Sequence, residues 1–180
     1  MTSMNSEYKL LEEILADLIL EEQAKLGYRK ESIRFYYPLK SLQHIFPTCQ
    51  DADEMQALLT DFPVFMQERY GTVAVSHHGE RFCFQLSEQA SEYVHLNRDP
   101  DDFILQLVAL MSKHGTTMTQ ITELFHSQPC DCIIENITDG EFDTAIHFVD
   151  SADRYYYCFK DEGCHIIYHR FLPEDYAELI

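Results

Sequence analysis

The chain has 180 residues, 46% of them hydrophobic, enough for one domain or two small ones with a real core. Its 31 acids against 13 basic residues give a formal charge of −18, which repels phosphate backbones and favours basic partners or cations. No apolar run reaches the roughly 18 residues of a membrane-spanning helix, and the start MTSMNSEYKLLEEILADLILEEQ lacks the basic segment and cleavage site of a signal peptide. Cytoplasm is therefore the expected compartment, with the six cysteines as reduced thiols.

Leu11, Ile14, Leu15, Leu18 and Ile19 repeat at helical spacing and predict a first helix. Glu12, Glu13, Asp17 and Glu21 fall off that stripe, and Gly27 is the stop. The alternation in SIRFYY, residues 32–37, predicts a strand. Pro38 opens a short helix that Pro47 ends. Asp51 and Glu54 form the capping box of the next helix, and Pro63 is expected to break or kink it before Gly71. Residues 72–86 read as strand, turn at His77–Gly79, strand, after which Ser87 caps a helix. This order of helix, strand, two helices and a strand hairpin is that of a winged helix, a helix-turn-helix variant.

Asn97–Pro100 is the expected boundary, giving parts 1–98 and 99–180. Asp99 and Pro100 should start a helix running to Gly115, and Thr116 or Thr117 the next. Beyond Pro129 four strands follow: CDCIIENIT, EFDTAIHFVD, RYYYCFKD and CHIIYHRF. Asp139-Gly140 and Glu162-Gly163 are the hairpin signals between them. A short helix, PEDYAELI, closes the chain. The fold class is α+β, with a helical N-terminal part and helices plus an antiparallel four-strand meander at the C-terminus.

Three stretches, EEQAKLGYRKESIRFYYPLKSL, GEFDTAIHF and YYYCFKDEGCHIIYHRFLPEDY, together resemble a bacterial domain-of-unknown-function family of Clostridia-type Firmicutes. The resemblance spans nearly the whole chain. It implies a bacterial cytoplasmic protein and no particular activity.

CFKDEGCHIIYHR, residues 158–170, holds two cysteines and two histidines. His165 and His169 on a strand lie roughly 13 Å apart, too far for one zinc ion to bridge. With a loop at Glu162-Gly163, Cys158 opposes Ile167 and does not pair with Cys164. Cys130 and Cys132 share a strand face and reach an ion only with another pair. No metal is expected; if one binds, zinc held by Cys130, Cys132, Cys158, Cys164, His165 and His169 is the alternative. DGEFD, residues 139–143, spaces its acids like a calcium loop but lacks that loop's glycine position and its final Glu.

Residues 25–40 hold five of the 13 basic residues among four aromatics. Arg29, Lys30 and Arg34 are its candidate anion-binding groups. The helix expected to enter DNA carries Asp51, Asp53, Glu54 and Asp61 and no basic residue, so nucleic acid is not the expected partner. No P-loop, dinucleotide fingerprint, GxSxG or HExxH occurs. Tyr155, Tyr156, Tyr157 and Tyr168 are candidate interface anchors in the more acidic C-terminal part. The expectation is a non-catalytic interaction or regulatory protein that docks a basic partner through an acidic, Tyr-rich surface. The alternatives are a metal-dependent or thiol enzyme and a winged-helix DNA-binding regulator.

Overall fold

Helix α1, Thr2–Leu26, buries Leu11, Ile14, Leu15, Ile19 and Leu20, so the apolar stripe seats the helix as its spacing demands. In this computed structural model residues 2–180 are described, and side chains from residue 4 onward. The buried surface of α1 is wider than the stripe, because α2, α4 and α5 all pack on it. Glu12 and Glu21 are therefore buried rather than solvated, at 5% and 7% exposure. Each has a cation to hold it: the Arg69 guanidinium grips both Glu12 oxygens at 2.7 Å, and Lys25 meets Glu21 at 2.8 Å.

The chain falls into two compact units, Met1–Leu105 and Gln106–Ile180. After α1 the first unit runs through β1 (Ser32–Pro38), α2 (Leu39–Ile45), α3 (Ala52–Leu58), a single 3-10 turn (Leu59–Asp61), α4 (Phe62–Tyr70), β2 (Val73–His78), β3 (Arg81–Ser87) and α5 (Glu88–Asn97). Pro63 acts as the sequence suggests: it sits in the first turn of α4, and the chain bends ahead of it. Asp51 caps α3 by accepting from the Glu54 amide at 2.9 Å, while the Glu54 carboxylate takes the amide of Gln50 instead of Asp51. Ser87 stands at the N-cap of α5, but its hydroxyl bonds the Tyr70 carbonyl and ties β3 to the end of α4. The strands form one antiparallel sheet in the order β1-β3-β2. Its inner face sets Ile33, Leu86 and Val73 abreast, and Phe84 packs edge-on against Phe62 and Tyr37.

Helix α6, Phe103–Met111, crosses the division between the units, and α7 is Met118–His126. Helix α6 begins three residues after Pro100, because Asp102 rather than Asp99 takes the capping role: its carboxylate accepts from the Ile104 amide at 3.1 Å. The carboxylate of Asp99 instead closes a turn onto the Asp101 amide. Thr117 starts α7 with a reciprocal capping box to Gln120. The antiparallel meander follows as β4 (Cys132–Asn136), β5 (Thr144–Phe148), β6 (Tyr156–Asp161) and β7 (Ile166–Phe171), in that spatial order, and α8 (Pro173–Ala177) closes the chain. One sheet face packs Phe148, Tyr157 and Phe159 around Phe125 of α7. The other gathers Phe142, Ala145 and Cys158 beneath Tyr176 of α8.

The last hairpin turns one residue later than expected. Glu162 bonds His165, so Gly163-Cys164 is the two-residue loop, with Gly163 in the left-handed region at φ 82°. The register moves with it, and Cys158 lies opposite His169, not Ile167.

Candidate functional site

The cysteines and histidines singled out in the sequence are dispersed by the fold. Among the described residues no three His, Cys, Asp or Glu side chains converge on a point where a metal ion would sit. Cys130 lies two residues ahead of β4 and Cys132 begins it, with the Cys132 Sγ 3.5 Å from His126 Nδ1. Burial and the charge of Asp131 push the Cys132 thiol above its ordinary value. Cys158 is inaccessible; burial, then the Glu135 carboxylate, push it up to about 12. A thiol so held stays protonated at neutral pH and is no nucleophile. His169, opposite it, is exposed. Cys164 lies on the exposed turn with its Sγ 3.1 Å from His165 Nδ1, and His165 Nε2 is 2.8 Å from the Glu162 carboxylate. This thiol–imidazole–carboxylate chain borders a small hollow lined by Lys113, His114 and Thr116.

The tyrosines are anchored within the fold. Tyr157 is buried and donates to Asp153 at 2.6 Å. Tyr155 carries the Arg170 guanidinium over its ring at 4.3 Å, and Tyr168 leans on Phe159. Tyr156 is the centre of a stack, with His147 on one side and Tyr176 on the other, each 4.2 Å between centroids. The Tyr176 hydroxyl donates to Glu135 at 3.2 Å; burial and that carboxylate push it up to about 12.

The sheet of the second unit has two edge strands, β7, against which α8 packs, and β4. Ile133 and Ile134 project to opposite faces and are 44% and 41% exposed. Residues 130–150, which contain β4, its loop and β5, hold six acids and neither Lys nor Arg. Among the described residues no strand pairs with the outer rim of β4.

The first unit holds a groove of about 620 Å³ built on the end of α1. Gly27 ends that helix in the left-handed region, at φ 72°, and sends Tyr28 and Arg29 across the groove's rim. Gln23 and Ser91 lock α1 to α5: the Gln23 amide donates to the Ser91 carbonyl at 2.7 Å, and the Ser91 hydroxyl donates to the Lys30 carbonyl at 3.1 Å. Leu20, Ala24 and Leu105 supply the apolar lining. Arg29, His95 and Arg98 supply the polar one, with Glu88 the one carboxylate. Arg98 Nη1 donates to His95 Nδ1 at 2.7 Å, which leaves the imidazole neutral with its Nε2 proton free to donate. Burial, then the charges of Arg98 and Arg29, hold His95 below the usual histidine range. Of the three residues singled out in the basic stretch, only Arg29 lines this groove. Lys30 is spent on Glu22 at 2.6 Å, and Arg34 projects from β1, where it is exposed. The sequence reading missed His95 and Arg98; the available signal in EYVHLNRDP was an Arg three residues after a His at a helix end.

A two-unit α+β chain with an open edge strand and an arginine-lined groove is the class of protein that fold and sites define. The family model described as "Domain of unknown function, E. rectale Gene description (DUF3877)" matches residues 8–180, and the chain belongs to that family. No curated protein and no solved structure matches the chain. No described helix is long and apolar enough to cross a membrane.

Proposed function

We propose that this is a non-catalytic interaction or regulatory protein that docks a basic, extended segment of a partner protein along β4. The carrying observation is the edge strand itself: two exposed isoleucines, a free ladder rim and six acids within residues 130–150 without one Lys or Arg. A strand added there gains main-chain hydrogen bonds, pockets for alternate side chains and charge complementarity. The tyrosines expected at such a surface serve it from behind, since the Tyr156 stack and Tyr176 brace Glu135 of β4.

The order β1-β3-β2 and its preceding helices support reading the first unit as a winged helix used as a scaffold for protein contacts. The acids Asp51, Asp53, Glu54 and Asp61 around α3 weigh against DNA as its ligand. The test is capture from the native cells at moderate salt with wild type and with Ile134→Lys/Glu135→Lys. A stoichiometric basic partner held by wild type and lost by the variant and at high salt supports the reading. Equal capture by both forms sinks it.

A second reading, a thiol enzyme, is favoured by the Cys164–His165–Glu162 chain alone. Alkylation rates against pH decide it. Were His165→Ala to leave the Cys164 rate and its pH midpoint unchanged, the imidazole would not activate the thiol.

A further inference from the structure

We infer that the groove between the ends of α1 and α5 is a binding site for a small organic anion, a carboxylate or phosphate head on an apolar body. The proposal stands apart from docking at β4, which lies in the other unit.

The charge distribution is the first argument. The first unit has 18 acids against 9 basic residues, so internal partners for a cation are plentiful. Lys25, Lys30 and Arg69 all have one, at Glu21, Glu22 and Glu12. Arg29 and Arg98 have no carboxylate within ion-pair distance among the described residues, although both line the same groove. Two guanidiniums left unneutralised in one concave site, in a chain of charge −18, form a local field opposite to that of the molecule. Guanidinium donors match planar carboxylate and phosphate oxygens, and the His95 Nε2 proton adds a third donor type.

The second argument is the lining. Leu20, Ala24 and Leu105 offer an apolar bed beside the donors, and the volume falls within the roughly 300–1,000 Å³ of small-molecule sites. Tyr28, at 61% exposure, stands on the rim where an aromatic face can cover a bound ligand. Gln23 also lines the groove; it is buried at 7% exposure, and its Oε1 lacks a hydrogen-bond partner. The one acid, Glu88, limits the anion to a compact head held at the Arg29–His95–Arg98 side.

Isothermal titration with hexanoate, hexyl phosphate, inorganic phosphate and hexylammonium tests the site, alongside amide and His95 ring NMR shifts in wild-type protein. Saturable binding of hexanoate or hexyl phosphate is expected, with shifts at Gln23, Arg29 and His95. Arg29→Gln and Arg98→Gln should each weaken it by about tenfold or more, and Arg34→Gln should leave it unchanged. Which of the two binds more tightly identifies the head group. Inorganic phosphate binding as well as hexyl phosphate would overturn the role of the apolar bed. Absence of saturable binding by both organic anions, equal binding of hexylammonium, or affinity indifferent to Arg98→Gln would overturn the site.

Discussion

The two units carry the same net charge and use it differently. Met1–Leu105 has 18 acids and 9 basic residues, or −9; Gln106–Ile180 has 13 and 4, also −9. In the first unit some cations sit in pairs, such as Glu12–Arg69, Arg34 and Arg81 lie on the β1-β3 sheet, and Arg29 and Arg98 line a groove without a carboxylate partner. In the second, Arg154 and Lys160 are paired with Glu174 and Asp143, Arg170 lies over Tyr155, and a run of 21 residues, 130–150, has neither Lys nor Arg. Net charge therefore does not locate either surface. What marks each surface is charge gathered in one place: Arg29 and Arg98 in a groove of one unit, the acids along β4 and its loop in the other.

The largest effect that would test this contrast is in the two cores. Phe125→Ala removes the ring that Phe148, Tyr157 and Phe159 surround, and should cost about 3–5 kcal/mol in denaturant unfolding. Arg69→Met, in the first unit, leaves the buried Glu12 without its cation, with the Tyr70 hydroxyl still beside it, and should cost about 3 kcal/mol, with Glu12→Gln/Arg69→Met recovering part of it. If the single change were silent, the Glu12–Arg69 pair would not be structural and its cation would count with the free ones. Next comes Gly71→Ala, where φ is 67° and an added Cβ would sit 2.6 Å from the Gln89 side chain. A loss of about 1–3 kcal/mol is expected, read as a lower urea midpoint.

Alkaline pH should act on the second unit through Cys158 and Tyr176. Both have folded values raised to about 12, from ordinary values of 9.0 and 10.0. The unfolded chain therefore ionises first, and the stability these groups contribute is complete below their unfolded values and is lost as pH rises toward about 12. Urea midpoints should fall between about pH 8 and pH 11, and less steeply in Cys158→Ala. The smallest effects are at the caps. Thr117→Ala and Asp51→Ala should each cost about 1 kcal/mol by thermal unfolding, Thr117 the more because its box with Gln120 is reciprocal.

Periodicity carried most of the fold. The stripe on α1, the break at Pro63, the strand–turn–strand before α5 and all four strands of the meander follow from spacing and turn residues. The departures came where a competing hydrogen bond was invisible in the chain. Asp102 outbid Asp99 as the cap of α6, and Ser87 turned its hydroxyl to Tyr70. The two-residue turn at Gly163-Cys164 moved the partner of Cys158 from Ile167 to His169. Of the candidate groups, Arg29 was legible as part of a basic stretch, but its sorting from Lys30 and Arg34 was not, because Glu22 reaches only Lys30.

By itself, then, the sequence determined the α+β class, the meander, the acidic balance and the scarcity of cations after Pro129, since these depend on local pattern and counting. Only the tertiary structure decided which charges are neutralised. Arg29 at the end of α1 and Arg98 beyond α5 meet because Gln23 and Ser91 lock those helices together, and β4 lies at an edge because the meander stops there. Pairing and exposure are set by neighbours through space, and residues far apart in the chain become neighbours only when it folds.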